Sequence, residues 1–249
     1  MPDGATKTKL GFKQKQHLFA WLLRQQHQAA PSSTGAIGGQ LKFKILASPV
    51  AWSSTAAKPT VQDGWAGYEA ERDEIFNFIR VHNISGVLLI SGDLHYALVT
   101  QFNAHPHLFE FSASPLQQFP LPAWIYPQPD RERVLYAAGF KYHFGVVDVH
   151  VPSCDHARAT TAAAVPDTMA CGTGSAATVT VGIFAAGAWG EPAVVYSKTL
   201  TAQELTVQPA DNADAAAGAQ AAVLAHTAST AAAAAHASDA APPARTAEL

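Results

Sequence analysis

The chain has 249 residues and a formal net charge of −3 at pH 7, so it lacks the basic excess that marks proteins binding nucleic acids or acidic membranes. Hydrophobic residues make up 48% of the sequence, which is enough to bury a sizeable core. No apolar run is long enough to span a bilayer, and no signal peptide is visible because residues 1–16 are polar and basic. The sequence assigns the protein to no compartment and identifies no protein partner.

The first half of the chain predicts a β-α-β unit preceded by a helix. Residues 12–28 carry an apolar stripe at helical spacing, and residues 31–39 are a Gly- and Ser-rich loop. Residues 41–47 alternate as a strand does, residues 68–83 form a second amphipathic helix, and residues 86–91 are a short apolar strand. Such units place their two strands in parallel, so we expect strands 41–47 and 86–91 in one sheet with both helices covering its outer face.

The second half predicts antiparallel strands. Residues 97–102 and 108–112 look like a hairpin, and a Pro-rich excursion occupies residues 113–141. Further strands are predicted over three segments: 142–151, 177–185 and 192–198. Together these elements predict an α/β fold with mixed sheets.

Two segments have low-complexity composition. Residues 152–176 form an Ala- and Thr-rich insertion that contains Cys154 and Cys171, and the pattern is compatible with a disulfide or with two free thiols. Residues 207–249 are Ala-rich and carry no aromatic residue, so we expect a disordered tail.

Asp93 and His95 are the main candidates for a functional site. They follow the apolar strand 86–91 after Ser91 and Gly92. A carboxylate and an imidazole two residues apart beyond the carboxyl end of a buried strand suit a metal site. The simpler interpretation is that Asp93 caps a turn and His95 packs in the core. If they bind metal, their replacement by Ala in the complete protein should remove metal and activity while leaving the fold nearly intact.

Other polar and aromatic residues are weaker candidates. Trp65 lies in a long connection and either contacts a substrate or packs on the core, while His143 at the start of a strand is more simply explained by packing than by a site role. We expect His105 and His107 to be solvated in a hairpin turn, and Arg72 to anchor the second helix in an ion pair.

Several motifs, in this order, resemble the C-terminal half of the PhoD-like alkaline phosphatases, within the calcineurin-like metallophosphatase superfamily. The resemblance covers roughly residues 12–205 and is carried by Asp63-Gly64-Trp65-Ala66-Gly67-Tyr68 with Glu71-Arg72, by Ser91-Gly92-Asp93-Leu94-His95, by Glu110-Phe111-Ser112-Ala113-Ser114-Pro115, and by His143-Phe144-Gly145-Val146-Val147. On this basis residues 12–206 are interpreted as the C-terminal part of a PhoD-like domain.

The resemblance implies an αββα sandwich that hydrolyses phosphate mono- or diesters with metal-activated water or hydroxide. Asp93 and His95 match the metal ligands of the family's Gly-Asp-x-His motif, and the metals implied are iron, calcium, manganese or zinc. The family's earlier motifs, which supply further ligands, have no counterpart before residue 12. The resemblance therefore predicts a partial sandwich with little activity of its own, and leaves open a catalytically inactive module or an incomplete gene model.

Overall fold

The computed structural model describes residues 4, 6–28, 43–56, 63–117, 119–125, 129–151, 177–186 and 190–208. The chain divides into two units, Met1–Val207 and Gln208–Leu249, and the elements below belong to the first. The predictions of a loop over 31–39 and of an insertion over 152–176 with its two cysteines concern segments outside the described residues. So does the predicted tail over 207–249 apart from its first two residues, of which Val207 is buried.

Two helices and eight strands make up the described part of the unit. The helices are α1 (Phe12–Gln28) and α2 (Glu69–Val81), and a single 3₁₀ turn (Trp65–Gly67) precedes α2. The strands are β1 (Lys44–Ala47), β2 (Val87–Ser91), β3 (Ala97–Phe102), β4 (His105–Ser112), β5 (Glu132–Ala138), β6 (Tyr142–His150), β7 (Thr178–Ala186) and β8 (Ala193–Thr201). Neither described α-helix is long and apolar enough to cross a membrane.

The strands form two sheets. The first is mixed and has the order β1-β2-β4-β3-β5, in which β1, β2 and β4 are parallel and β3 runs antiparallel to β4 and β5. The predicted parallel pairing is confirmed by the register Ile45↔Leu88. The second sheet is antiparallel, with the order β6-β7-β8. The α/β class with mixed sheets is therefore as the sequence predicted.

Each face of the first sheet packs against a different layer. On one face, side chains from α1 and α2 such as Leu22, Ile75 and Phe76 pack against residues of β1, β2 and β4. On the other face, Leu88 and its neighbours pack against β7 and β8 of the second sheet. A fully buried Leu or Ile side chain contributes roughly 1.5–3 kcal/mol, so these two clusters hold the three layers together. The helices cover the outer face of the first sheet, as expected.

One strand was missed by the sequence analysis. β5 lies inside the segment 113–141, which was interpreted as a Pro-rich excursion, and it pairs with β3 through contacts such as Val99↔Tyr136. Its sequence begins with Glu132 and Arg133 and contains two Ala residues, so local propensity gives little strand signal. Pairing with β3, distant along the chain, is what makes it a strand.

Backbone hydrogen bonds join the segment 119–125 to the turn after β2 and to the residues that follow β5. The Leu121 N–H donates to the His95 carbonyl at 2.8 Å, and the Phe140 N–H donates to the Leu121 carbonyl at 2.9 Å. Gly139 lies so close to this segment that an added Cβ would stand 2.5 Å from the Ala123 nitrogen. The absence of a side chain at Gly139 is thus a packing requirement.

Gly139→Ala should therefore displace the segment 119–125 and lower the free energy of unfolding by about 1–3 kcal/mol, the usual cost of overpacking. Gly190→Ala is the matched control, because no atom of the described residues, apart from its chain neighbours, lies within 4 Å of a Cβ built there. Urea unfolding of both variants checks this, and equal stabilities would contradict the close approach.

The expectation that His105 and His107 are solvated was wrong, since they are only 7% and 2% exposed. Strand β4 begins at His105, three residues earlier than predicted, and so carries both rings into the sheet. The His105 ring packs edge-on against Phe76 with 5.5 Å between centroids. Burial, aided by the nearby His107 and arginines, lowers the pKa of His105 to about 3.

This lowered pKa predicts a loss of stability in acid. The unfolded chain protonates His105 near its ordinary pKa of about 6.5, whereas the folded chain holds it neutral down to about 3. Between these values the unfolded state binds more protons, so the free energy of unfolding falls as the pH falls, by up to ~1.4 kcal/mol per pH unit.

His105→Phe keeps an aromatic ring and removes the titrating group, so its stability should decline less steeply than that of the wild type between about pH 7 and about pH 4. Urea unfolding at several pH values measures the slope. His150→Phe, at an exposed position, should leave the slope unchanged, and an unaltered slope in His105→Phe would contradict the prediction.

Candidate functional site

The turn after β2 carries Asp93 and His95 in an uncommon backbone conformation. Their φ angles are 69° and 59°, in the left-handed region that costs most L-residues about 1 kcal/mol or more. The turn is held from outside by the Leu121 N–H, which donates to the His95 carbonyl. Tertiary contacts therefore reinforce a conformation that is uncommon outside glycine, although Asp and His adopt it more often than most residues do.

Asp93 and His95 both line two adjoining cavities. The first has a volume of about 300 Å³ and also includes Ser53, Asp63 and Trp124 in its walls. The second has a volume of about 630 Å³ and extends over the residues Ser114, Pro115, Leu116, Gln117 and Phe119. Asp93 and His95 are thus the two residues that the two cavities share.

The imidazole of His95 has a defined tautomer. Its Nδ1 lies 2.9 Å from the carbonyl oxygen of Phe119, and because a carbonyl only accepts hydrogen bonds, Nδ1 must carry the proton. In the neutral ring with this tautomer, Nε2 carries the lone pair. Histidines that bind metals commonly donate their second ring N–H to a backbone carbonyl in this way.

The two side chains are not part of a larger cluster of ligands within the described residues. No group of three or more His, Cys, Asp or Glu side chains there is placed to hold a metal ion. Asp63 lines the first cavity together with Asp93 and His95, and its backbone carbonyl accepts a hydrogen bond from Lys9 Nζ at 2.6 Å. Asp93 and His95 therefore form a pair of candidate ligands.

Trp65 lies behind the wall of the first cavity. Only 2% of its surface is exposed, its ring stacks on Trp52 with 4.5 Å between centroids, and its Nε1–H donates to Ser48 Oγ at 3.0 Å. Its neighbours Gly64 and Ala66 line the cavity. The structure therefore makes Trp65 a core residue adjacent to the cavity.

His143 lies behind the second cavity. It is 1% exposed, and its Nδ1 lies 3.2 Å from the carbonyl oxygen of Ser114, a residue of the cavity wall. Its backbone N–H also donates to the Pro115 carbonyl at 2.8 Å. Burial lowers the pKa of His143, which favours the neutral ring.

Arg72 anchors α2 as expected, although its partners could not be predicted from the sequence. It is buried, and its Nη1 lies 3.4 Å from Glu132 Oε1 and 3.0 Å from the Trp52 carbonyl oxygen. Its Nη2 also pairs with Asp73 at 3.0 Å. The guanidinium thus connects α2 to β5 and to the loop 51–56, which forms part of the first cavity.

Two buried carboxylates near the cavity were given no role by the sequence analysis, although Glu110 stands in one of the motifs that carry the resemblance. Glu110 on β4 is fully buried and Glu132 on β5 is 3% exposed, and both accept hydrogen bonds from the backbone of the loop 51–56. Burial raises the pKa of Glu110, and hydrogen bonds from Ser91, Trp52 and Ser53 oppose the rise. The available signal in the sequence was a charged residue inside the apolar run Leu-Phe-Glu-Phe.

The sequence is similar to that of known proteins. The family model described as PhoD-like phosphatase matches residues 2–157. Alkaline phosphatase D of Bacillus subtilis (strain 168) is 30% identical over 89 residues, which cover 36% of this chain and 14% of that protein.

A solved structure described as "Structure of PhoD" is similar in fold, with a TM-score of 0.50 and 13% sequence identity, and the match covers 82% of this chain and 35% of that one. The chain therefore spans about a third of the length of this solved structure, and the likeness supports the fold. Because the family model matches more than half of the sequence, the chain belongs to the PhoD-like phosphatase family.

Proposed function

We propose that this chain serves the metal-dependent hydrolysis of phosphate mono- or diesters, with Asp93 and His95 as metal ligands. The observation that carries the proposal is the hydrogen bond between His95 Nδ1 and the Phe119 carbonyl. It leaves Nε2 as the ligand atom of a ring that lines the same cavities as the Asp93 carboxylate.

The donor set fits a metal ion. One carboxylate oxygen and one imidazole nitrogen suit iron, manganese or zinc, and calcium would need additional oxygen ligands. Asp93 and His95 Nε2 would hold the ion where these residues line the two cavities. A bound metal of this kind supplies a Lewis acid for a phosphate oxygen and lowers the pKa of a bound water.

Other residues of the two cavities have proposed roles in contacting the substrate and in orienting His95. Leu94, Leu121 and Trp124 give the first cavity an apolar side, suited to the organic part of an ester. Phe119 fixes the orientation of the His95 ring through its carbonyl group. The substrate class proposed is therefore a phosphate ester whose phosphate lies at Asp93 and His95.

We further propose that the described residues supply only part of the metal centre. Metal sites in enzymes commonly use three or more protein ligands, and Asp93 and His95 provide two. The chain alone should then bind metal weakly and hydrolyse esters slowly. A catalytically inactive module that retains the fold is the alternative, and absence of metal binding would favour it.

Asp93→Gly and His95→Gly are the variants that test the ligands. Gly adopts positive φ without strain, so each variant should remove a ligand while changing the free energy of unfolding by no more than about 1 kcal/mol. Affinity for Mn²⁺, measured by isothermal titration calorimetry, should fall about tenfold or more in each variant.

Asp130→Gly and His150→Gly are matched controls, because both residues are exposed and neither lines the two cavities. They should bind Mn²⁺ as the wild type does. Retained Mn²⁺ affinity in Asp93→Gly and His95→Gly, together with a large loss of thermal stability, would show that the two residues are structural and would overturn the assignment.

A further inference from the structure

Two buried carboxylates accept hydrogen bonds from four consecutive backbone N–H groups. Glu110 accepts from the amides of Trp52 and Ser53, both at 2.8 Å, and Glu132 accepts from the amides of Ser54 and Thr55, both at 2.7 Å. Each carboxylate uses both of its oxygens. We call Glu110 and Glu132 the carboxylate clamp.

The burial of Glu110 and Glu132 carries a free-energy cost that other contacts must offset. Burial of an ionised carboxylate is strongly unfavourable unless hydrogen bonds or opposite charges compensate for it. Here the compensation comes from the four amides, from Ser91 Oγ on Glu110 at 2.5 Å, and from Arg72 near Glu132 at 3.4 Å. An arrangement of this kind restricts the loop to one conformation, since every acceptor is matched to a particular amide.

The loop held by the carboxylate clamp is a wall of the first cavity. Val50, Ala51, Ser53 and Ala56 line that cavity together with Asp93 and His95. Glu110 also accepts from Ser91, which is the last residue of β2 and stands two positions before Asp93. One carboxylate therefore joins the loop wall to the strand that carries the candidate ligands.

We propose that Glu110 and Glu132 are positioning residues that fix the loop 51–56 relative to Asp93 and His95, and so determine how well a phosphate group fits the cavity. The inference rests on the proposed function only in taking the first cavity as the phosphate site. The hydrogen bonds between the carboxylate clamp and the loop can be tested without any metal.

Glu110→Gln and Glu132→Gln test the proposal with little change in volume. A glutamine has one acceptor oxygen, and its NH₂ group would face the second amide, donor against donor. Hydrogen–deuterium exchange should accelerate about tenfold or more, chiefly at residues 52 and 53 in Glu110→Gln and at residues 54 and 55 in Glu132→Gln, as expected for the loss of a hydrogen bond to a charged group. The affinity of the Mn²⁺-loaded chain for inorganic phosphate should fall, while the affinity for Mn²⁺ itself changes less than about twofold.

Glu71→Gln is the matched control. Glu71 is also buried and accepts from two backbone amides, those of Lys9 and Leu10 at 2.5 and 3.2 Å, but these lie outside the loop 51–56. It should lower the thermal stability by a comparable amount without accelerating exchange at 52–55 or weakening phosphate binding. Equal acceleration at 52–55 in Glu71→Gln would indicate general destabilisation and overturn the proposal, as would unchanged exchange in both clamp variants.

Ser91→Ala provides a milder variant in case a clamp variant fails to fold. It removes one hydrogen bond to Glu110 and leaves Glu132 intact, so exchange should accelerate at Trp52 and Ser53 more than at Ser54 and Thr55. A uniform change over the four residues, or none, would contradict the proposal. If the wild-type chain binds no Mn²⁺, the proposed function fails, and the exchange measurement still decides whether the clamp holds the loop.

Discussion

The structure around the candidate site depends on the need to satisfy buried backbone amides. The loop 51–56 leaves the edge of the first sheet and runs through the interior, where an amide without an acceptor costs several kcal/mol in an apolar medium. Neighbouring strands cannot supply these acceptors, because the loop does not extend the sheet. Glu110 and Glu132 supply them from β4 and β5, and Arg72 on α2 joins the same network. The position of the loop, and with it one wall of the cavity, follows from these charged hydrogen bonds.

The part of the cavity wall formed by Asp93 and His95 depends on a different constraint. Asp93 and His95 both have positive φ, which is uncommon for residues other than glycine, although Asp and His adopt it more often than most. Their turn persists because β2 is held between β1 and β4 and because the segment 119–125 bonds to His95 through both its backbone and its ring. A strained turn on a rigid strand keeps two polar residues in place in the walls of both cavities. This is consistent with the proposed use of both residues as metal ligands.

The layered arrangement explains why the loop 51–56 and the turn of Asp93 and His95 line the same cavity. The side chains of successive residues in a strand point to opposite faces of the sheet, so Leu88 packs on the second sheet while Leu89 packs under the helices. Glu110 is paired in register with Leu89 and belongs to the helix-side face, where Trp52 and Trp65 also lie. The carboxyl ends of the parallel strands β1, β2 and β4 meet at one edge, where α/β sheets usually carry their sites.

Much of this architecture was determined by the sequence itself. The period of apolar residues gave α1 with its observed bounds and α2 to within two residues at each end, and the apolar run after Gly86 marked β2, because burial on one or both faces imposes a pattern on the local sequence. The Gly-Asp-x-His motif likewise singled out Asp93 and His95. The tertiary structure alone decided the strand β5, the burial of His105 and His107, and the partners of Glu110 and Glu132. Each of these depends on contacts between residues far apart in the chain. Glu110, for example, lies 57 or 58 positions from the amides that it holds, and such contacts leave no pattern in the local sequence.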